Sequence, residues 1–158
     1  ILHLLTNTVD LKLPPLSSLK NEDPLVIAQN IFDAPLFAEP GTVYRYANAG
    51  AFLLSLCIQN VTRLSVYALG SQLFFGPLRM CNTILFPSKE HKKRNIVPTE
   101  CDPWRKREIR GEVHDESTYV LQKYFGTGAI GIAGLFSTAP DLLTFLEMLL
   151  NEGTLVWI

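Results

Sequence analysis

Tyr46-Ala-Asn48 places a phenol and a side-chain amide two residues apart, directly before a run with helical spacing. A phenol titrates near 10, so a tyrosine takes a proton at neutral pH only where cations draw that value down by several units, each worth about 1.4 kcal/mol. A neighbouring amide can orient a carbonyl. The same two residues also read as a core aromatic and as the N-cap of the helix that follows. A second pattern, Ser17-Ser-Leu-Lys20, satisfies Ser-x-x-Lys, in which a lysine one helical turn after a serine can act as its base. With eight Ser and seven Lys in 158 residues, roughly 0.35 such matches arise by chance. It also follows Pro14-Pro15, a loop signal, whereas the geometry needs a helix. It is set aside as a nucleophile.

His114-Asp115 are adjacent and point in different directions, while a histidine is usefully oriented by a carboxylate from elsewhere in the fold. A role in stabilising a loop is expected for them. His3 and His91 have no ligand spacing with His114, and Cys57, Cys81 and Cys101 stand far apart without a Cys-x-x-Cys pair. Neither a disulfide framework nor a zinc site is written here, and no metal or cofactor is called for.

Four helices would position these residues. Asp23 as N-cap and Pro24 at the first helical position start one, with Leu25, Ile27 and Ile31 as its apolar groups and Pro35 as its stop. From Asn48 to Val61, the residues Leu54, Cys57, Ile58 and Val61 recur at helical spacing and predict a core-facing stripe. Ser65 caps a third helix through Tyr67, Leu69 and Leu73 to Phe75, ended by Gly76-Pro77. Thr138-Ala-Pro-Asp141 has the form of a capping box, followed by Leu142, Phe145, Leu146 and Leu149, with Gly153 as C-cap. The stripes of the second and fourth helices are expected to share one core. Residues 81 to 136 show no sustained period and predict ordered loops with at most a short strand.

The bulk numbers bound the function class. A chain with 47% hydrophobic and 18% charged residues is globular in composition. A net charge of −1 and a pI near 6.3 supply no overall field toward nucleic acid or an anionic membrane. Eight of the 14 basic residues lie between Lys89 and Arg110, but Glu90, Glu100, Asp102 and Glu108 are interleaved and Trp104 is the one stacking aromatic, so the run predicts a solvated loop face. Asn60-Val-Thr62, a glycosylation triplet by pattern, falls inside a predicted helix and carries no weight. No apolar stretch reaches the roughly 18 residues of a membrane span, and the localisation is not legible. The start at Ile1 and the apolar Val156-Trp157-Ile158 end read as cut ends.

Taken in order along the chain, several segments resemble the serine β-lactamase and penicillin-binding-protein family, of the class C β-lactamase and esterase type. Pro40-Gly-Thr-Val-Tyr-Arg-Tyr-Ala-Asn48 is similar to its second catalytic motif, and His3-Leu-Leu-Thr-Asn-Thr-Val-Asp-Leu11 to the "HLLTHTSGL" stretch after its nucleophile helix. Phe75-Gly-Pro-Leu-Arg-Met80 with Thr83 and Phe86-Pro-Ser88 resembles "PLGM…T…F…PS"; Val97 to Trp104, Arg110-Gly-Glu-Val-His-Asp115 and Ala133-Gly-Leu-Phe-Ser-Thr-Ala139 resemble later landmarks. Asn7 stands for a usual His, Val9 for Ser, Asp10 for Gly, Arg79 for Gly and Ile132 for His. Asp10 is a local concern if its position needs positive φ.

The resemblance implies an α+β fold, a sheet flanked by helices with a mostly helical second domain, and a site in the cleft between them. Residues 1–158 would be an internal part of one such catalytic domain, mainly its helical portion with long loops and the sheet largely missing. Tyr46 would be the general base and Asn48 the amide that orients the substrate. The family's Ser-x-x-Lys nucleophile and its Lys-Thr-Gly or His-x-Gly motif have no counterpart in matching order here. Two functions follow: a serine hydrolase acting on a small ester, amide, peptide or β-lactam through an acyl-enzyme, or a catalytically inactive remnant that binds a partner. Apolar surface left uncovered by a missing sheet would favour association. The 158-residue chain by itself is expected to remain unlabelled by a fluorophosphonate probe. Stoichiometric labelling of any serine, Ser17 included, would show that it carries its own nucleophile.

Overall fold

The computed structural model describes residues 1–85, 87, 96–126, 128 and 130–154 and folds them mainly into helices. They are α1 (Leu2–Leu5), α2 (Pro24–Phe32), α3 (Asn48–Thr62), α4 (Val66–Gly70), α5 (Glu116–Phe125) and α6 (Ala139–Leu150). A 3₁₀ turn spans Leu16–Leu19, and a π turn over Ser71–Phe75 continues α4. Among the described residues the sheet is one antiparallel pair, β1 (Cys101–Asp102) with β2 (Arg107–Glu108), in which Cys101 faces Glu108 and Asp102 faces Arg107. No single helix among them is long and apolar enough to cross a membrane. The chain divides into two compact units, Ile1–Val66 with Val113–Ala133 and Tyr67–Glu112 with Gly134–Ile158.

In the first unit α2 packs on α5, the 3₁₀ turn also meets α5, and α1 meets α3. Asp23 caps α2 by accepting from the Leu25 N–H at 2.8 Å, satisfying an amide that helix geometry leaves without a partner. Ile27, Ala28 and Ile31 are its buried face. Phe52 of α3, wholly buried, meets Phe125 of α5 edge to face at 5.2 Å between centroids. The buried face of α3 is Ala49, Phe52 and Ser55, not the predicted stripe: Cys57 and Val61 are exposed and Leu54 and Ile58 only half buried. The apolar residues nearly encircle this helix, so periodicity marked more than one face and packing chose the one bearing the aromatic.

Residues 116 to 125, expected to be loop, form the helix α5. Its buried residues Ser117, Thr118, Val120 and Leu121 mix two hydroxyls with two aliphatics, which hides the apolar period. Asp115 is its N-cap and accepts from the Thr118 N–H at 2.7 Å and the Thr118 hydroxyl at 2.8 Å. Asp115 thus serves a helix start and not the loop role expected of it.

The second unit buries Leu78, Met80 and Met148, with Phe75 and Phe145 packed against them. Here α6 turns Asp141, Phe145 and Met148 inward, while Leu142, Leu146 and Leu149 of the predicted stripe are largely exposed. The helices α3 and α6 fall in different units, and most of the stripe predicted for their shared core, Cys57, Val61, Leu142, Leu146 and Leu149, is exposed. Gly76 lies where an added Cβ would come within 2.9 Å of the Ser71 carbonyl oxygen, a backbone approach that only glycine permits. Three residues on, Arg79 holds φ +53°, so the position where the resemblance expects glycine is indeed left-handed and carries strain.

The basic run is only partly a solvated face. Lys89 and Lys92-Lys93-Arg94 lie outside the described residues, as do Glu90 and His91. Arg105 is buried, its side chain 4% exposed, with Nε 3.1 Å from Asp102 and a terminal nitrogen 2.9 Å from Glu112. Arg107 grips the same Glu112 through both carboxylate oxygens at 2.6 and 2.8 Å. A guanidinium enters a low-dielectric interior only with such partners, which is why these charges cluster around the β1–β2 turn.

Asp141 is the polar centre of the second unit. Beyond its place in α6, its carboxylate accepts from the Asn82 N–H at 2.9 Å and the Thr83 hydroxyl at 2.8 Å, tying the chain after Met80 to the helix start. Burial raises the carboxyl's pKa, but the hydrogen bonds from Thr83, Asn82 and Thr138 outweigh it and hold the value below the ordinary one. A carboxyl lowered on folding stabilises the fold above its unfolded value, and that contribution is lost as pH falls through the folded value. Asp141→Ala is expected to cost about 1–3 kcal/mol in urea unfolding at pH 7, from the donors left unsatisfied. In Asp141→Asn the acid-side loss of stability should shrink relative to the parent chain.

Candidate active site

The segment that carries Tyr46 is held by the chain's first turn. Thr8 N–H donates to the His3 carbonyl at 2.8 Å, and in return Asn7, Thr8 and Asp10 accept from the N–H groups of Arg45, Gly41 and Phe37 at 2.8, 2.9 and 2.7 Å. A bridge pairs Leu11 with Leu36. Residues 7 to 11 and 36 to 45 therefore run side by side, and the backbone is satisfied without a regular sheet. Gly41 sits at φ +96° against the His3 ring, which a Cβ would approach to 2.8 Å. The left-handed turn in this stretch is at Asn7, with φ +52°, a conformation asparagine tolerates well. Asp10 is not among the positive-φ residues, so the concern attached to it does not arise.

Asp10 instead does electrostatic work. It is buried, and the Arg45 Nε lies 2.9 Å from its Oδ1, close in distance but poorly aligned for a hydrogen bond. Arg45 remains 60% exposed in its side chain and also lies over the Phe37 ring, 6.0 Å from its centroid. Its charge is thereby committed to the Asp10 side.

Tyr46 is 71% exposed, which excludes a core aromatic. Its hydroxyl donates to the Asn48 Oδ1 at 3.1 Å. Asn48 is the first residue of α3, and its side chain makes no cap: the N-cap is Ala47, with no side-chain hydrogen bond. The Asn48 Nδ2 donates instead to the Asp115 Oδ2 at 3.2 Å, across 67 positions of sequence. An open groove of about 400 Å³ runs alongside, with Leu11, Leu13, Pro14, Pro15 and Leu16 as apolar lining and Arg45, Tyr46 and Asn48 as polar lining. Apolar walls with a few placed polar groups are the common form of a small-molecule site.

Ser17 also lines this groove, but its Ser-x-x-Lys pattern falls on the 3₁₀ turn Leu16–Leu19. Lys20 reaches Glu116 with its ammonium 3.1 Å from Oε1, an ion pair that draws it toward α5. Cys57, Cys81 and Cys101 are exposed free thiols. Among the described residues no group of three His, Cys, Asp or Glu side chains is placed to hold a metal ion. Asp10 and Asp115 are the two site residues whose parts the sequence pattern misjudged, the first raised as a φ concern and the second given a loop role. A helix-start signal was present at Asp115 in the acidic Glu116 that follows it. For Asp10 no local signal exists, because its partner comes from a segment 35 positions on.

The beta-lactamase family model matches residues 1–157. The chain belongs to the beta-lactamase family. It is 30% identical over 132 residues to the N-acetylmuramyl-L-alanine amidase of Bacillus subtilis, covering 76% of this chain and 29% of that protein. Among solved structures it resembles the octameric penicillin-binding protein homologue from Pyrococcus abyssi, with a TM-score of 0.65 and 22% identity over 96% of this chain and 34% of that one. The beta-lactamase/D-alanine carboxypeptidase from Yersinia pestis, complexed with citrate, superposes with a TM-score of 0.64 at 21% identity, over 93% of this chain and 38% of that one. These likenesses establish a β-lactamase/transpeptidase-like fold, of which this family member shows a mainly helical part. The chain spans 29% of the length of its amidase relative.

The Asp10–Arg45 pair gives a direct test of how this segment is held. Arg45→Gln leaves a buried carboxylate without its cation and is expected to cost about 1–3 kcal/mol, whereas Asp10→Asn should cost less. The Arg45→Gln/Asp10→Asn double variant should recover most of the loss in urea unfolding.

Proposed function

We propose that this chain supplies the Tyr-x-Asn part of a serine hydrolase site, with Tyr46 as general base and Asn48 as the amide that orients the substrate carbonyl. The observation that carries the proposal is an exposed phenol, hydrogen-bonded to Asn48, on a groove with an apolar lining. In this proposal residues 1–158 are an internal part of one catalytic domain, and the nucleophile is a serine of a Ser-x-x-Lys helix outside them. The serine Oγ attacks an amide or ester carbonyl as its proton passes to the Tyr46 phenolate, the leaving group takes that proton, and water then hydrolyses the acyl-enzyme. The amidase name of the Bacillus subtilis relative favours an amide or peptide substrate over an ester.

Arg45 does not supply the cation that such a base needs, because it is paired with Asp10. Cations from the completed site take that part. Asn48 retains a second N–H on Nδ2 beyond the one given to Asp115, and this is the donor offered to substrate. The exposed leucines of α6, Leu142, Leu143, Leu146, Leu149 and Leu150, support association through apolar surface, and the 158-residue chain is expected to self-associate in light scattering.

In the protein as translated in full, Tyr46→Phe should lower kcat by about 10² to 10⁴ with little change in thermal midpoint. Full activity in Tyr46→Phe beside inactivity of the serine nucleophile variant would remove the base assignment. Full activity of both variants would remove the hydrolase mechanism itself.

A further inference from the structure

Asparagine presents two chemically opposite ends, and nothing in α3 fixes which way Asn48 turns: its backbone starts the helix while its side chain caps nothing. The deciding contact is Asp115. An ionised carboxylate can only accept, so the end of Asn48 that faces it must be the NH₂, and the Nδ2 to Oδ2 distance is 3.2 Å. The carbonyl end is left for Tyr46, whose hydroxyl donates to it at 3.1 Å. Asp115 is itself held, since its other oxygen takes both the N–H and the hydroxyl of Thr118 at 2.7 and 2.8 Å. The carboxylate that caps α5 is therefore a fixed reference against which the amide at the start of α3 is set.

We propose that Asp115 is a positioning residue for the Tyr46–Asn48 pair, fixing the amide so that its oxygen receives the Tyr46 hydroxyl whenever the phenol is protonated, as it is once it has taken the serine proton, and its NH₂ keeps one hydrogen free for a substrate carbonyl. The proposal rests on the catalytic reading of that pair. It assigns Asp115 no contact with the reacting atoms. What it supplies is the polarity of a hydrogen-bond chain in which Tyr46 donates to Asn48 and Asn48 to Asp115, which also accepts from Thr118, built from two helix starts.

Two substitutions separate orientation from helix capping, because asparagine and serine both serve well as N-caps. In Asp115→Asn the oxygen stays on Thr118 and an NH₂ now faces Asn48, which must flip its amide to avoid two opposed donors. In Asp115→Ser the cap remains, but the side chain is too short to hold Asn48. In the protein as translated in full and labelled with ¹⁵N, the Asn48 side-chain NH₂ signals, identified by their loss in Asn48→Ala, are expected to shift in both variants. Their hydrogen exchange should accelerate in Asp115→Ser, with thermal midpoints close to that of the parent chain. In the protein as translated in full, Asp115→Asn should lower kcat about 10-fold with KM unchanged while the thermal midpoint and the folded fraction stay at the parent's, which separates the effect from a loss of folded enzyme.

Unshifted Asn48 signals in both variants would overturn the proposal. So would shifted signals with an unchanged kcat in a protein that Tyr46→Phe inactivates. If Tyr46→Phe stays fully active, the catalytic reading of the pair falls instead, and the NH₂ signals still decide whether Asp115 sets the amide.

Discussion

One carboxylate, that of Asp115, answers to two helix starts. Through Oδ1 it satisfies the first turn of α5, and through Oδ2 it holds the amide of Asn48 at the first turn of α3. Helix N-termini present amides without partners, and an acidic group there gains from both hydrogen bonding and the helix dipole. Much of the first unit is arranged around this economy. α5 must lie where Asp115 can reach Asn48, and the packing of Phe52 on Phe125 joins the same two helices on their apolar sides.

The segment before α3 is held by a different force. Between Asn7 and Arg45 the chain is stitched by backbone hydrogen bonds, and the buried Asp10 is neutralised by Arg45 next to Tyr46. A buried carboxylate needs its cation more than the cation needs it, because the arginine is still partly hydrated. The ion pair therefore pulls residue 45 toward the first turn. Tyr46, the next residue, stays exposed on the groove.

The second unit solves similar problems with its own materials. Asp141 gathers Asn82 and Thr83 to the start of α6, and Asp102, Arg105, Arg107 and Glu112 close the β1–β2 turn with charge on charge. In both, each buried charge has an opposite charge or a hydrogen-bond donor beside it, which is the condition for burying it at all. The leucines of α6 that face outward fit the same bonds, since the hydrogen-bonded Asp141 turns its own face of the helix inward.

The sequence by itself determined where helices start and stop when the signal was local. Asp23-Pro24, Thr138 and Gly76-Pro77 act through neighbours within a turn, and the family resemblance rested on short segments in a fixed order. Tyr46 and Asn48 were legible as a pair for the same reason, being two residues apart. Which face each helix buries was not legible for α3 or α6, because both carry apolar residues around most of their circumference and the partner surface makes the choice. The helix α5 over residues 116 to 125 was not legible, because the buried hydroxyls of Ser117 and Thr118 interrupt its apolar period. Only the tertiary structure placed Asp115 against Asn48 and Asp10 against Arg45, since electrostatic and hydrogen-bond partners brought from 67 and 35 positions away leave no mark in local spacing.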